Sequence, residues 1–273
     1  MSYKVRLQFT NPEVCVVGCG GTGSLVSDGL CRLFHNTDVN LLLVDHDRVE
    51  PHNLRRQCFF ESDLGKFKSQ ALAERLSRQY GRKIGYRVYQ FDNDTMSEPI
   101  SLGRSINGGI IIGCVDNPAA RRTIAASLTH GWSGGIWWLD AGNSEHSGQV
   151  LFGNAVSADS MDNAFHAETQ TVSRLPYPAL QLPSLLAPVT APAPRRDCAE
   201  AVEADEQSPV INQVMASLVL EFMHRILKDK LDVMGAYIDM SAGTLRYVPA
   251  EPEVVARMLS VKADSLVDYR KKK

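Results

Sequence analysis

Apolar and polar positions divide the chain into short apolar runs and longer segments with apolar residues three and four apart. Residues 14–17 form a continuous apolar run, the pattern of a parallel strand buried on both faces. Residues 22–34 follow with Leu25, Leu30, Leu33 and Phe34 available for an inner face, which predicts a helix. A second apolar run, 39–45, ends on Asp45, and a second helix is predicted over 64–81, with Gly81 as its left-handed stop. The alternating residues 83–91 and the apolar run 108–114 predict two more strands, and 117–131 predicts a helix with Pro118 in its first turn. Residues 135–142 and 148–156 read as further strands joined by a Gly/Ser/His turn. Strands alternating with helices predict an α/β fold: Rossmann-like, doubly wound, with a mostly parallel sheet and helices on both faces.

The texture changes after residue 156. Residues 175–194 hold six of the thirteen prolines, which remove backbone donors and predict a loop or extended crossing segment. An acidic stretch follows, and then residues 209–229, whose apolar positions cover most of a helical circumference. Such a helix is buried or lies at an interface, so a homodimer through it is expected. Residues 235–249 read as a hairpin turning at Ala242 and Gly243, an antiparallel extension of the sheet, and a short helix closes the chain. The predicted organisation is a nucleotide-binding core over 1–155, a Pro-rich and acidic crossover over 156–207, and a helix and hairpin over 208–273 that complete the same domain.

Composition narrows the classes. A chain of 273 residues with 44% hydrophobic content can bury a sizeable core. A formal net charge of −2 gives no global field for nucleic acid, and the basic residues 269–273 read as a solvated tail. No apolar run approaches the roughly 20 residues of a membrane span, so no membrane partner is expected. The first residues lack the apolar core of a signal peptide, and six cysteines in this length are no disulfide framework, so a cytoplasmic, reducing setting is expected. No Cys-x-x-Cys pair occurs, and a structural zinc site is not expected.

The candidate chemistry begins at Gly18, Gly20 and Gly23, spaced G-x-G-x-x-G between a strand and a helix. Glycine lets backbone approach phosphates, and a helix N-terminus offers unpaired N–H groups and a positive dipole end. Asp45, ending the second strand, is placed to bind ribose hydroxyls. To this point NAD and ATP fit equally, and an unliganded turn also fits. The next residues decide: Asn53, Arg56 and Lys68 follow the second strand closely, and they suit nucleoside triphosphate phosphates, where two cations stabilise charge at an attacked α-phosphate. Asp116 ends the fourth strand, on the edge where parallel sheets bind ligands, and a carboxylate there suits Mg²⁺. Plainer readings stand beside these: Lys68 on a solvated helix face, Asp116 as the N-cap of the helix at Pro118, and Arg55 in place of Arg56. His46, His52 and His146 have no second ligand at metal-site spacing.

The segments GCGGTGS (18–24), DHDRVEPHNLRRQ (45–57), LGKFKS (64–69), CVDNPAAR (114–121) and LDAGNSEHSGQV (139–150) resemble, in order and spacing, the ThiF/MoeB family and the adenylation domain of ubiquitin-activating enzymes. The length and the residues RRDCAEA (195–201) resemble most the ThiF-type protein of the PRTRC plasmid-associated system. The resemblance implies ATP- and Mg²⁺-dependent adenylation of the C-terminal carboxylate of a small ubiquitin-like β-grasp protein. It implies that Gly18, Gly20, Gly21 and Gly23 line the nucleotide, that Asp45 holds the ribose with Asp47 beside it, and that Asn53, Arg56 and Gln57 form the phosphate cluster. It further implies that Lys68 neutralises charge in the transition state, that Asp116 binds Mg²⁺, and that Asn117 and Arg121 support that loop. Cys198 lies in the crossover segment where family members place a thioester-forming cysteine; Arg195 and Arg196 favour a thiolate there, and Glu200 and Glu203 oppose it. Cys15, Cys19, Cys31 and Cys114 read as small core residues, and Cys58 lies near the phosphate cluster without an assigned role. The chain departs from the family at Gly113, where Asp is frequent, in lacking the paired zinc cysteines, and in having only Arg6 before the glycine turn. An NAD-dependent oxidoreductase, a non-catalytic nucleotide-binding scaffold, and adenylation of a tRNA base or a peptide C-terminus are the rival readings.

Overall fold

The structure, a computed structural model, describes residues 2–7, 13–92, 95, 108–129, 135–188 and 209–269. In chain order the strands are β1 (Lys4–Val5), β2 (Glu13–Val17), β3 (Asn40–Val44), β4 (Gly85–Arg87), β5 (Gly109–Gly113), β6 (Ile136–Asn143), β7 (Ser147–Gly153), β8 (Phe165–His166), β9 (Thr171–Val172), β10 (Val233–Asp239), β11 (Thr244–Pro249) and β12 (Val267–Asp268). The helices are α1 (Gly21–Leu33), α2 (Lys68–Tyr80), α3 (Pro118–Thr129), α4 (Pro178–Gln181), α5 (Pro209–Leu227), α6 (Pro252–Leu259) and α7 (Ala263–Leu266).

Eight strands form the main sheet in the order β11-β10-β7-β6-β5-β2-β3-β4. β4, β3, β2, β5 and β6 run parallel, and β7, β10 and β11 extend the sheet antiparallel, as the sequence pattern predicts. Strand order reverses at β2: β3 lies on one side and β5 on the other. Val17 pairs with both Val44 and Gly113, so these three strands end level. Gly18, Asp45 and Cys114 therefore leave the sheet together at the switch point where open α/β sheets bind ligands.

The period-two alternation of the strands feeds two cores. Val14, Val16, Leu41, Leu43, Ile110 and Trp137 face α1, α2 and α5. Cys15, Val17, Leu42, Val44, Ile111 and Trp138 face α3 and α4. The second face shows what the proline pattern concealed. Residues 178–186 are not an extended crossing: Pro178 and Pro183 each open a short helical turn, α4 and the 3-10 turn Pro183–Leu186, because proline's fixed φ suits a first helical position. Ala179 and Tyr177 then pack under Trp138, with the Trp138 and Tyr177 rings 6.0 Å apart.

α5 is the helix predicted to be buried or interfacial. It has the length and apolar content of a membrane span, and half of that stretch is buried inside the protein. It lies along α1, where Gly29 takes the side chain of Leu220 against its bare Cα. Its most exposed positions include Val210, Gln213, Ser217 and His224. Its apolar face is thus largely used within the protomer, against α1 and the sheet.

The four two-residue strands form a second small sheet, β1-β9-β8-β12, which no sequence pattern announces. The strand expected over 83–91 is paired only at Gly85–Arg87.

Candidate functional site

The glycine turn sits where β2 meets α1. Gly18 has a φ of +89°, and a Cβ there would lie 2.6 Å from the carbonyl oxygen of Cys114. A Cβ on Gly23 would overlap the carbonyl oxygen of Gly18, so α1 can start this close to the strand only with glycine at this position. Gly23→Ala is expected to destabilise the protein by about 1–3 kcal/mol and to abolish the nucleotide-induced thermal shift. A differential scanning measurement with and without ATP checks both.

Around this turn opens a cavity of about 720 Å³, within the usual size range of ligand pockets. Gly18, Gly20, Gly21, Asp45, Asp47, Asn53, Arg56, Gln57, Lys68, Asp116, Asn117 and Arg121 all line it. Gly23 alone of the predicted glycines stands behind it, in a packing role. Cys198 and its neighbours Arg195, Arg196, Glu200 and Glu203 lie outside the described residues.

Asp45 is buried at the end of β3. Its Oδ2 accepts the N–H of Cys19 at 2.6 Å and its Oδ1 the N–H of Asp47 at 2.8 Å, which ties β3 to the glycine turn. Burial pushes its carboxyl up, and the two backbone donors and Lys68 oppose that shift. Ser69 Oγ lies 2.8 Å from both the Asp45 and the Arg87 carbonyls and anchors the start of α2 there.

Lys68 is not on a solvated face. Its side chain is 11% exposed, and Nζ donates to Asp47 Oδ2 at 3.0 Å. The backbone N–H of Lys68 donates to the Asp47 carbonyl, which fixes the first residue of α2 at the cavity. Asn53 Oδ1 accepts the N–H of Glu50 at 3.0 Å and closes the 3-10 turn Pro51–Arg55, and this turn delivers the next two residues, Arg56 and Gln57, to the cavity. Arg55 points away, exposed, so the geometry separates the two arginines that charge alone could not. Gln57 Oε1 is buried and has no hydrogen-bond partner among the described residues.

Asp116 is exposed on the opposite lip, its Oδ1 3.3 Å from Asn117 Nδ2. The N-cap of α3 is Asn117 rather than Asp116: Asn117 Oδ1 accepts the N–H of Ala120 at 2.8 Å. The Asp116 carboxylate is therefore not committed to capping, and it is a hard oxygen donor of the kind Mg²⁺ takes. The carboxylates of Asp45 and Asp47 with His46 form the one cluster of metal-capable groups found among the described residues. Lys68 and two backbone N–H groups already engage those carboxylates, and the cluster reads as part of the nucleotide wall.

Arg121 has a partner the sequence reading missed. Its Nε lies 3.1 Å from both oxygens of Asp140, whose side chain is fully buried within β6, level with the end of β5. Burial lifts the Asp140 carboxyl to about 6, against the pull of Arg121. The lone Asp140 in the apolar run of β6 was the available signal, since a buried charge requires a partner. Asp140 also explains Gly113. A Cβ there would lie 2.9 Å from Trp138 Nε1 and 3.1 Å from Asp140 Oδ1, which leaves no room for the carboxylate frequent in the family. Thr22 beside the glycine turn, and Asn143, Ser144, Ser147 and Gln149 on the far wall, complete the lining and were also not foreseen.

Cys15, Cys19 and Cys31 are core residues, as expected, whereas Cys114 is half-buried and lines the cavity. Cys58 lies outside the cavity, in a shallow groove with Ser24 and Phe60, and its N–H donates to Ser24 Oγ at 3.1 Å.

The chain matches the ThiF family over residues 2–254, and it belongs to that family. It is similar to ubiquitin-like modifier-activating enzyme 5 of Dictyostelium discoideum, 34% identical over 147 residues, covering 50% of this chain and 36% of the relative. The enzyme of the same name from Rattus norvegicus is 31% identical over 143 residues, covering 49% and 34%. The matched region thus spans about a third of the length of these curated relatives. Among solved structures, E. coli MccB shares the fold with a TM-score of 0.57 at 15% identity, over 97% of this chain and 67% of that one. PaaA shares it with a TM-score of 0.56 at 16% identity, over 88% and 64%.

Proposed function

We propose that this chain adenylates the C-terminal carboxylate of a small ubiquitin-like β-grasp protein at the expense of ATP. The observation that carries the reading is the convergence of the glycine turn, Asp45, Arg56, Lys68 and Asp116 on one cavity at the strand-order switch. In the reaction a carboxylate oxygen bonds to the α-phosphorus, the bond from that phosphorus to the bridging oxygen breaks, and pyrophosphate leaves with the electron pair. The free N–H groups of the first turn of α1 receive phosphate oxygens. The remaining lone pairs of Asp45 take ribose hydroxyls. Arg56 and Lys68 meet the negative charge that builds on the α-phosphate. Asp116 would hold Mg²⁺, with Asn117 beside it, and the ion supplies charge neutralisation on the phosphates.

The family and the similarity to ubiquitin-like modifier-activating enzyme 5 support this reading over hydride transfer. The fold neighbours include E. coli MccB with ATP, which supports ATP as the nucleotide. A second step belongs to the proposal: the Cys198 thiolate bonds to the acyl carbon of the adenylate, the bond from that carbon to the phosphate oxygen breaks, and AMP leaves, giving a thioester. The PRTRC subfamily is also part of the proposal and rests on chain length and residues 195–201, outside the described set. A cytoplasmic setting belongs to the proposal as well.

Isotope exchange between pyrophosphate and ATP tests the reading. The chain is mixed with ATP, Mg²⁺ and a β-grasp protein encoded beside its own gene. Exchange that depends on the partner's free C-terminal carboxylate is the expected result. Binding of NAD without ATP would overturn the proposal, and ATP binding with no exchange would leave the scaffold reading standing in its place.

A further inference from the structure

The first turn of α5 brings Asn212 behind the glycine turn, fully buried. Its Oδ1 accepts from Thr22 Oγ1 at 3.3 Å and from Asn143 Nδ2 at 3.4 Å. Thr22 and Asn143 line the cavity, one on the nucleotide loop and the other on the far wall, and Thr22 Oγ1 also lies 3.5 Å from Asn143 Oδ1. The other end of the amide, Nδ2, is buried with no hydrogen-bond partner among the described residues. A Cβ built on Gly21 would overlap Nδ2 and lie 2.8 Å from Cγ.

A buried amide with one orphan donor is an unfavourable choice for filling space, because an apolar residue of similar size would leave nothing unsatisfied. What this amide does is join three elements. The start of α1, the end of β6 and the start of α5 meet at one carbonyl oxygen. We infer that Asn212 is a positioning residue of the nucleotide site: it sets the first turn of α1, whose N–H groups face the cavity, in register with the far wall at Asn143. Gly21 has no side chain because Asn212 occupies the space a methyl would need. The inference rests on the reading of the cavity as a nucleotide site.

Calorimetric titration of the full chain with ATP tests it, on wild type, Asn212→Ala, Gly21→Ala and the double variant. Asn212→Ala is expected to raise the Kd for ATP about 5- to 30-fold, the equivalent of one to two hydrogen bonds. Gly21→Ala is expected to weaken binding at least as much, because its methyl displaces the amide. The double variant is expected to bind ATP more tightly than Gly21→Ala alone, since Asn212→Ala removes the very atoms the methyl meets. A merely structural role would lower the thermal stability of Asn212→Ala and leave its Kd for ATP unchanged. An unchanged Kd in folded Asn212→Ala, or a double variant no better than Gly21→Ala, overturns the inference. If Asn212→Ala does not fold, Asn143→Ala breaks the same link from its half-buried end, and an unchanged Kd there overturns it as well. Wild type that binds no ATP overturns the proposed function, and this inference with it.

Discussion

Replacing Lys68 by alanine is expected to lower pyrophosphate exchange by about 10²–10³-fold while leaving the fold intact. Lys68 is the first residue of α2, held there by its own N–H on the Asp47 carbonyl, so removal of the side chain does not move the backbone. The Asp47 carboxylate it contacts is 54% exposed and is solvated when the lysine is gone. With Asp47 exposed, the pair is expected to contribute on the order of 1 kcal/mol, so the thermal midpoint is expected to stay within several degrees of wild type. The catalytic consequence differs because the ammonium is almost withdrawn from solvent and faces the cavity where charge would build. Lys68→Arg is expected to rescue poorly, since a planar fork does not fill the place of a compact point charge. Exchange rates at saturating ATP decide the matter, and a Lys68→Ala rate within tenfold of wild type would remove this residue from the mechanism.

The second large effect concerns stability. Arg121→Met is expected to destabilise the protein by about 3–5 kcal/mol at pH 7.5, because it leaves the fully buried Asp140 charge without its partner. The pH dependence follows from the sign of the shift. Burial holds the Asp140 carboxyl at about 6 in the folded protein, above its ordinary value of 3.8. The folded state therefore binds this proton more tightly than the unfolded state, and this group's contribution to stability falls as pH rises from about 4 through 6. Without Arg121 the shift goes further in the same direction. At pH 5 the carboxyl of the variant is neutral and needs no counter-ion, so the gap between variant and wild type is expected to narrow. Urea unfolding of both proteins at pH 7.5 and 5.0 measures it; a gap that stays constant or widens on acidification would show that Asp140 is not the group responsible. Arg121→Met combined with Asp140→Leu is expected to regain much of the loss at pH 7.5.

The parallel core was legible because its signals are local. The apolar run at 14–17, the glycine spacing after it and the period-two strands each depend on a few neighbouring residues. Lys68, Arg56 and Asp116 could be placed on one edge because strand ends in a parallel sheet lie level. What was not legible depends on pairs distant in sequence. Asp140 gains its meaning from Arg121 across β6 and α3, and Asn212 gains its meaning from Gly21 and Thr22, which precede it by about 190 residues. The prolines at 178 and 183 misled because the same fixed φ serves an extended segment and the opening of a helical turn. The strands of the second sheet are two residues long, too short to carry any period.

That small sheet has a bearing on how the chain reaches its native state. β1 pairs with β9, and β12 pairs with β8, so residues near 4 meet residues near 171, and residues near 267 meet residues near 165. Contacts between such separated segments close large loops for little local gain, and they form slowly. The five parallel strands of the main sheet are all present once residue 143 is made, before β12 exists. Three strands of the small sheet can pair once residue 172 is made, but its fourth, β12, closes the seam only after translation has passed residue 268.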